Sequence, residues 1–267
     1  MKIWCLIALA APLAAQDVSR DLMRSAIANY EKSLARAGDL LFERRVESRQ
    51  LEASGAVRQM QTFLVRRELI EDLPVSRLIE RDGRPLPAEE IAKQQANIRK
   101  AIDEYRKQTP EEQKKRLNNS AGIGGREMEF LREMPDALDY KYLDSVWEEG
   151  REVMRFEMSP RTGYKPKHLQ ARVFEKVRGE IRVDKAAAEI RLVDAEVFDT
   201  VNVGGFLAKI EKGTRFLIER KAFAGDHWVP ERIRIKFGTK IMMVKSIRQE
   251  TESRFTGYRV WRAASGG

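Results

Sequence analysis

From Ala171 to Trp261 the chain alternates polar and apolar residues almost without interruption. A period of two is the mark of a half-buried strand, because successive side chains on pleated backbone point to opposite faces. In the first run Ala171, Val173, Val177, Ile181 and Val183 face one way, and Arg172, Lys176, Arg178, Arg182 and Asp184 the other. The same pattern sets Phe216, Ile218 and Ala222 against Arg215, Glu219 and Lys221, and Ile233, Ile235 and Phe237 against Arg232, Arg234 and Lys236. The breaks fall at Asp184-Lys185, Gly204-Gly205, Lys212-Gly213, Gly225-Asp226 and Gly238-Thr239. They are too short to hold crossover helices, so successive strands are expected as antiparallel neighbours. The prediction is a meandering sheet with one apolar face to cover.

The preceding segments supply helices and further strands. Val18, Leu22, Ala26 and Tyr30 recur every fourth residue, with Met23, Ile27 and Leu34 widening the stripe, which predicts a helix over 17–37 stopped by Gly38. Its docking side is expected to be Val18, Leu22, Ile27, Tyr30 and Leu34. Leu40 to Arg81, with a turn at Ser54-Gly55 and a short return after Asp82-Gly83, reads as an opening β region. Pro87 then starts a charged helical hairpin with a thin apolar stripe of Ile91, Ile98, Ile102 and Tyr105. Thr109, Pro110 and Glu112 form a capping box with proline at the first helical position, and the second helix runs to about Leu117. Gly122 to Gly125 lacks the lysine and Ser or Thr of a phosphate loop and reads as a connector. A short helix over 126–134 is expected to end at Pro135, after which Leu138 to Trp147 and a run presenting Met154, Phe156 and Met158 form a hairpin.

The first fifteen residues do not fit that core. Lys2, the apolar stretch Ile3 to Leu13 and the small pair Ala14-Ala15 read as a cleaved export leader, too short to span a bilayer. The expected division is therefore residues 1–15 as signal peptide and 16–267 as one domain, with a helical insertion at about 87–134. Cys5 is the only cysteine and would leave with the leader, so the mature chain has no disulfide and must rely on packing. The formal charge of +9, one less once Lys2 is gone, favours anionic partners. Export points to an anionic membrane surface rather than nucleic acid.

Catalytic chemistry is hard to find. The two histidines, His168 and His227, lie in no metal-spaced or nucleophile-bearing motif, and neither H-E-x-x-H nor G-x-S-x-G occurs. Asp226-His227 is a neighbouring pair whose side chains diverge on extended backbone, and Glu148-Glu149 belongs to a turn. The sequence thus implies no catalytic residue, no metal and no cofactor, and a non-enzymatic protein. Eight methionines remain once Met1 leaves with the leader, and their soft side chains suit a loosely filled core or a cavity for varied apolar shapes.

The order of elements, and the letters Gly179-Glu180-Ile181-Arg182-Val183-Asp184 followed by Ala188-Glu189-Ile190-Arg191-Leu192, resemble the periplasmic lipoprotein-carrier superfamily of LolA/LolB type. The overlap covers most of the mature chain in element order and about two dozen residues in letters. Arg182 stands where that family usually has an aromatic, the charged hairpin of Pro87 to Leu117 is additional, and the family's gating arginine matches no single position. The resemblance implies an α+β fold: a curved antiparallel sheet, an open half-barrel, with helices over a concave face that accepts acyl chains. It also implies a role in envelope lipoprotein sorting, transport or sensing in the periplasm. A related sensor branch, which binds an anti-sigma factor, is equally compatible. The lining is expected from Phe42, Phe156, Val177, Ile181, Phe216, Ile218, Ile233 and Ile235. The alternative is an envelope protein-interaction module that uses the charged hairpin and has a filled core without ligand.

Overall fold

A computed structural model describes residues 11–71, 73–120, 125–202, 208–225, 227–241 and 245–261. Residues 1–10 of the expected export leader, the Gly204-Gly205 break, most of the glycine-rich connector and Asp226 lie outside the described residues.

One antiparallel sheet organises the chain. Its main path contains eleven strands: β1 (Leu40–Leu51), β2 (Val57–Ile70), β3 (Leu73–Arg81), β4 (Arg84–Pro85), β5 (Leu138–Glu148), β6 (Arg151–Pro160), β7 (Val177–Asp184), β8 (Glu189–Val197), β11 (Arg215–Phe223), β12 (His227–Ile241) and β13 (Lys245–Val260). The short strands β9 (Val201–Asn202) and β10 (Ala208–Ile210) branch off through β12. The spatial order is β4-β3-β2-β1-β13-β12-β11-β8-β7-β6-β5, an open, curved sheet in which the first and last long strands meet at the centre. Hairpins at Asp82-Gly83, Glu149-Gly150 and Ala224-Gly225 have positive φ at both positions, the turn whose twist matches the flanking strands.

The helix α1 (Ala11–Arg36) lies against β5, β8 and β12. Met23, Ala26 and Ile27 are buried beneath it, with Leu22 and Tyr30 packed at the margin. Val18, expected on the docking side, is 72% exposed. The stripe engages the sheet only from Leu22 onward. Gly38 is buried at the exit of α1, where its carbonyl accepts the Trp261 indole N–H at 3.0 Å, while the Trp261 amide donates to the Asp39 carbonyl. That pair ties the end of β13 to the start of β1.

The charged hairpin forms as expected, with α2 (Ala88–Arg106) and α3 (Pro110–Ser120). Thr109 and Glu112 make the reciprocal capping bonds, 2.8 Å from the Thr109 amide to Glu112 and 3.3 Å in return. α2 runs alongside β3: Arg81 forks onto Glu90 at one end, Arg106 reaches Glu71 at the other, and Gln94 donates to the Leu78 carbonyl between them. Ile98, Ile102 and Leu117 bury with Leu73 in a small second core. The hairpin covers the edge-strand region that would otherwise offer free backbone for unwanted pairing.

Two local readings of the sequence give way. The run from Ala171 does not begin as strand: Leu169–Lys176 is a 3-10 segment that buries Ala171, Val173 and Phe174, and β7 starts at Val177. The 3-10 spacing brings Ala171 and Phe174 onto one face, and the segment's entry is pinned by Glu133, which accepts from the backbone amides of Lys167 and His168. Residues 125–133 are also 3-10, and Pro135 opens the one-turn helix α4 (Met134–Ala137) rather than ending a helix. Proline is tolerated in a first turn, where its missing N–H has no partner to lose.

Candidate ligand-binding face

Antiparallel register places directly opposed residues on the same side of the sheet, so the pairings define a row across it. Tyr142, Phe156, Ile181, Val193, Ile218, Ile233, Ser253, Val46 and Phe63 are successive partners from β5 to β2. A parallel row carries Met158, Gly179, Ala195, Phe216, Ile235, Thr251, Ser48 and Gln61. The opposite face is ionic. There Arg155, Arg182, Leu192, Glu219, Arg232, Arg254 and Arg45 are consecutive partners, laced by pairs such as Arg232–Glu219 at 2.7 Å and Arg182–Glu148 at 2.7 Å.

The apolar face is not uniform along its width. Over β5 to β8 it is closed by α1, α4 and the two 3-10 segments, and Phe156, Val177 and Ile181 are 1%, 6% and 0% exposed within one continuous core. Phe216 packs against the margin of that core. Ile218, Ile233 and Ile235 lie beyond it and are only half-buried, as are Val46 and Phe63 further along the row. Phe42 belongs to another group, with its ring 5.6 Å from both Phe255 and Tyr258, and Tyr258 stacked in turn with Phe223. Of the eight residues expected to line a cavity, three thus sit in filled core, four form a patch on β11 and β12, and one joins an aromatic cluster around β13.

Two polar clusters frame this face, and the sequence did not reveal either. Beneath α1, Arg220 and Glu189 form a buried pair at 2.9 Å; Arg220 also donates to the carbonyls of Ile190 and Trp228 and lies 4.7 Å over the Tyr30 ring. The second Glu189 oxygen accepts from the Ser33 hydroxyl at 2.8 Å. Arg220 is on the core face because it keeps the alternation of Phe216, Ile218 and Ala222 along β11, while the register shift beside it leaves out Glu231 on the partner strand β12.

The other cluster centres on Glu133, buried at the entry to the 3-10 segment. It accepts from the Tyr164 hydroxyl (2.6 Å), the amides of Lys167 (2.8 Å) and His168 (2.9 Å), and pairs with His168 Nδ1 (2.5 Å). Burial pushes its carboxyl up, but these four bonds outweigh burial and hold it at about 2. Burial and the same hydrogen bond push the Tyr164 phenol up. This is a histidine oriented by a carboxylate, yet no serine, threonine or cysteine hydroxyl or thiol lines the cavity beside it, which is bounded by Glu129, Arg132, Glu133, Asp136, Tyr164, Lys165, Lys167 and His168. Hydrogen bonding to backbone explains it as a clamp on the loop before β7. His227 begins β12 opposite Phe223. Among the described residues, no group of three or more His, Cys, Asp and Glu side chains converges in a way that would hold a metal ion, and no helix is long and apolar enough to cross a membrane.

The chain is similar to a DUF1329 family protein from Desulfovibrio piger, at 11% identity over 92% of each chain and a TM-score of 0.33. It is also similar to an outer membrane lipoprotein-sorting protein domain from Vibrio parahaemolyticus, at 10% identity over 88% of this chain and 91% of the other, with a TM-score of 0.27. No family model matches the sequence, and no curated protein does.

Proposed function

We propose that the chain is an exported, non-enzymatic lipid-binding protein of the cell envelope, which holds an acyl chain against the half-buried apolar patch of its sheet. One observation carries this reading. The row Ile218, Ile233, Ser253, Val46 and Phe63 continues the core row of Phe156 and Ile181 without a break in register, and yet its apolar side chains are left half-exposed. α1 lies against β5, β8 and β12, and α2 against β3. An acyl chain laid along Phe216, Ile235, Ile218 and Ile233 toward Val46 and Phe63 would complete what the core begins. Each methylene buried there contributes about 0.8 kcal/mol, so a chain of a dozen carbons needs little polar help to bind.

Titration of delipidated protein with a fluorescent fatty acid tests the reading. Saturable binding is expected in the wild type and loss of it in Ile235→Asp, whose half-buried site lets water reach the new carboxylate and leaves the fold intact. Ile181→Asp, at a site with 0% exposure, is expected to unfold the domain instead, because an unpaired buried carboxylate is too costly to retain. Wild-type protein without saturable binding overturns the reading and leaves the exposed charged side of α2 as the surface for an envelope partner.

A further inference from the structure

Among the described residues, Arg44 is a charge at the apolar patch with no hydrogen bond or ion pair to the rest of the fold. Arg44 stands on the same face of β1 as Val46, opposite Phe255 on β13 and Val65 on β2. Val65 is in turn opposite Leu78. The Arg44 side chain therefore leaves the sheet on the face of Val46, Val65 and Phe255, where Phe255 pairs with the Phe42 ring. Its Nε is buried and has no hydrogen-bond partner, and among the described residues no carboxylate pairs with it. The contrast with its surroundings is sharp: nearby Arg66, on the ionic face, reaches Glu43 at 2.7 Å, and the buried Arg67 donates to the Leu40 carbonyl at 3.0 Å. Burial pulls the Arg44 guanidinium below its usual range, as expected for a desolvated cation with no counter-charge.

A half-buried guanidinium with a buried, unpartnered Nε and no counter-charge is costly to keep, and a hydrophobic residue of similar size would fill the site at less cost. Arginine presents a planar fork that matches the two oxygens of a carboxylate or phosphate. Arg44 stands one step along β1 from Val46, in the row proposed to hold the acyl chain. We propose that Arg44 is the anchor for the head of that ligand, and that the ligand is a single-chain amphiphile ending in an anionic oxygen group. This deepens the acyl-chain reading and rests on it. The apolar row supplies affinity without regard to the head, while Arg44 selects the charge and fixes which end of the chain lies over β1.

Three probes separate the two claims: palmitic acid, a lysophosphatidic acid of the same chain length, and neutral palmityl alcohol, each titrated into wild type, Arg44→Met and Arg44→Lys. Wild type is expected to bind both acids at least tenfold more tightly than the alcohol. Arg44→Met should lose that preference while its affinity for the alcohol stays within about twofold, since the apolar row is untouched. Arg44→Lys should keep part of the preference. Palmitic acid binding better than the lysophosphatidic acid identifies a carboxylate as the natural head, and the reverse order a phosphate. Equal binding of acid and alcohol by the wild type, or acid binding unchanged in Arg44→Met, overturns the anchor and leaves the acyl reading standing. Loss of alcohol binding together with acid binding in Arg44→Met overturns it too, by making Arg44 a structural residue. Failure of all three probes to bind wild type is the separate failure of the acyl reading, and the anchor falls with it.

Discussion

The buried pair of Arg220 and Glu189 makes the docking of α1 open to direct measurement. Their side chains are 3% and 7% exposed, so neither charge has solvent to fall back on. Removing Glu189 as Ala leaves Arg220 with two backbone carbonyls and the Tyr30 ring but no counter-charge. Breaking one side of a buried ion pair costs about 3 to 5 kcal/mol. Ser33→Ala removes one hydrogen bond to a carboxylate and is expected to cost about 1.5 to 3 kcal/mol. Replacing both members, Glu189→Leu with Arg220→Met, removes the desolvation penalty along with the attraction and should lie within about 1 kcal/mol of wild type. Equilibrium urea unfolding reads all of these. At a slope of about 2 to 3 kcal/mol per molar, Glu189→Ala moves the midpoint down by roughly 1 to 2 M, and the double variant recovers most of it. A loss under about 1 kcal/mol for Glu189→Ala, or a double variant as unstable as the single one, would refute the claim that this network holds the helix on the sheet.

Two further outcomes test the framework around the patch. The Glu133 carboxyl is held at about 2 when folded, below its ordinary value of 4.5. Its contribution, about 3 kcal/mol by linkage, is therefore fully present above about pH 4.5 and lost as pH falls through about 2; the stability gap between wild type and Glu133→Gln should be largest near neutral pH and close toward pH 2, and a gap independent of pH counts against the clamp. Gly179 has room for no side chain: a Cβ there would sit 2.0 Å from the Asp194 carbonyl oxygen and 2.8 Å from the Ala195 Cα. Gly179→Ala must separate β7 from β8 and is expected to cost about 3 kcal/mol in the same urea assay, whereas a cost under about 1 kcal/mol would show that the strands part easily.

The period-two pattern was legible because the sheet keeps its register over long stretches. Ile218 opposite Ile233 and Phe216 opposite Ile235 lie on the apolar side as their alternation requires. Turn chemistry was legible too, since Asp82-Gly83 and Glu149-Gly150 take the left-handed backbone those residues favour. What escaped was whatever depends on contacts between residues distant in sequence. Arg220 meets Glu189 across 31 positions of sequence, and Glu133 meets His168 across 35. Ala171, Val173 and Phe174 have spacings that fit both a strand and a 3-10 turn, and the choice was made by Glu133, which holds the two preceding amides. The eight residues expected to line one cavity share the right chemistry, but periodicity does not report how much of a face its covering elements reach.

That reach follows from simple dimensions. Ten inter-strand steps of about 4.8 Å make the sheet roughly 48 Å across, whereas a helix with its side chains is about 10 Å wide. One helix cannot cover such a face. α1 gains its partners at β5, β8 and β12, and the 3-10 segments and α4 join it over the same side, so apolar burial is spent on Phe156, Ile181 and their neighbours until that half is full. The charged hairpin contributes Ile98, Ile102 and Leu117, with Tyr105 at the margin, and these are used at Leu73 near the β2–β3 turn. Between these two cores remain Ile218, Ile233, Ile235, Val46 and Phe63, continuous in register and half-buried, with the unpaired Arg44 at their border. A chain selected only for stability would replace Arg44 by a hydrophobe and cover the patch with another apolar helix. Among the described residues neither is found, as the proposed amphiphilic occupant would require.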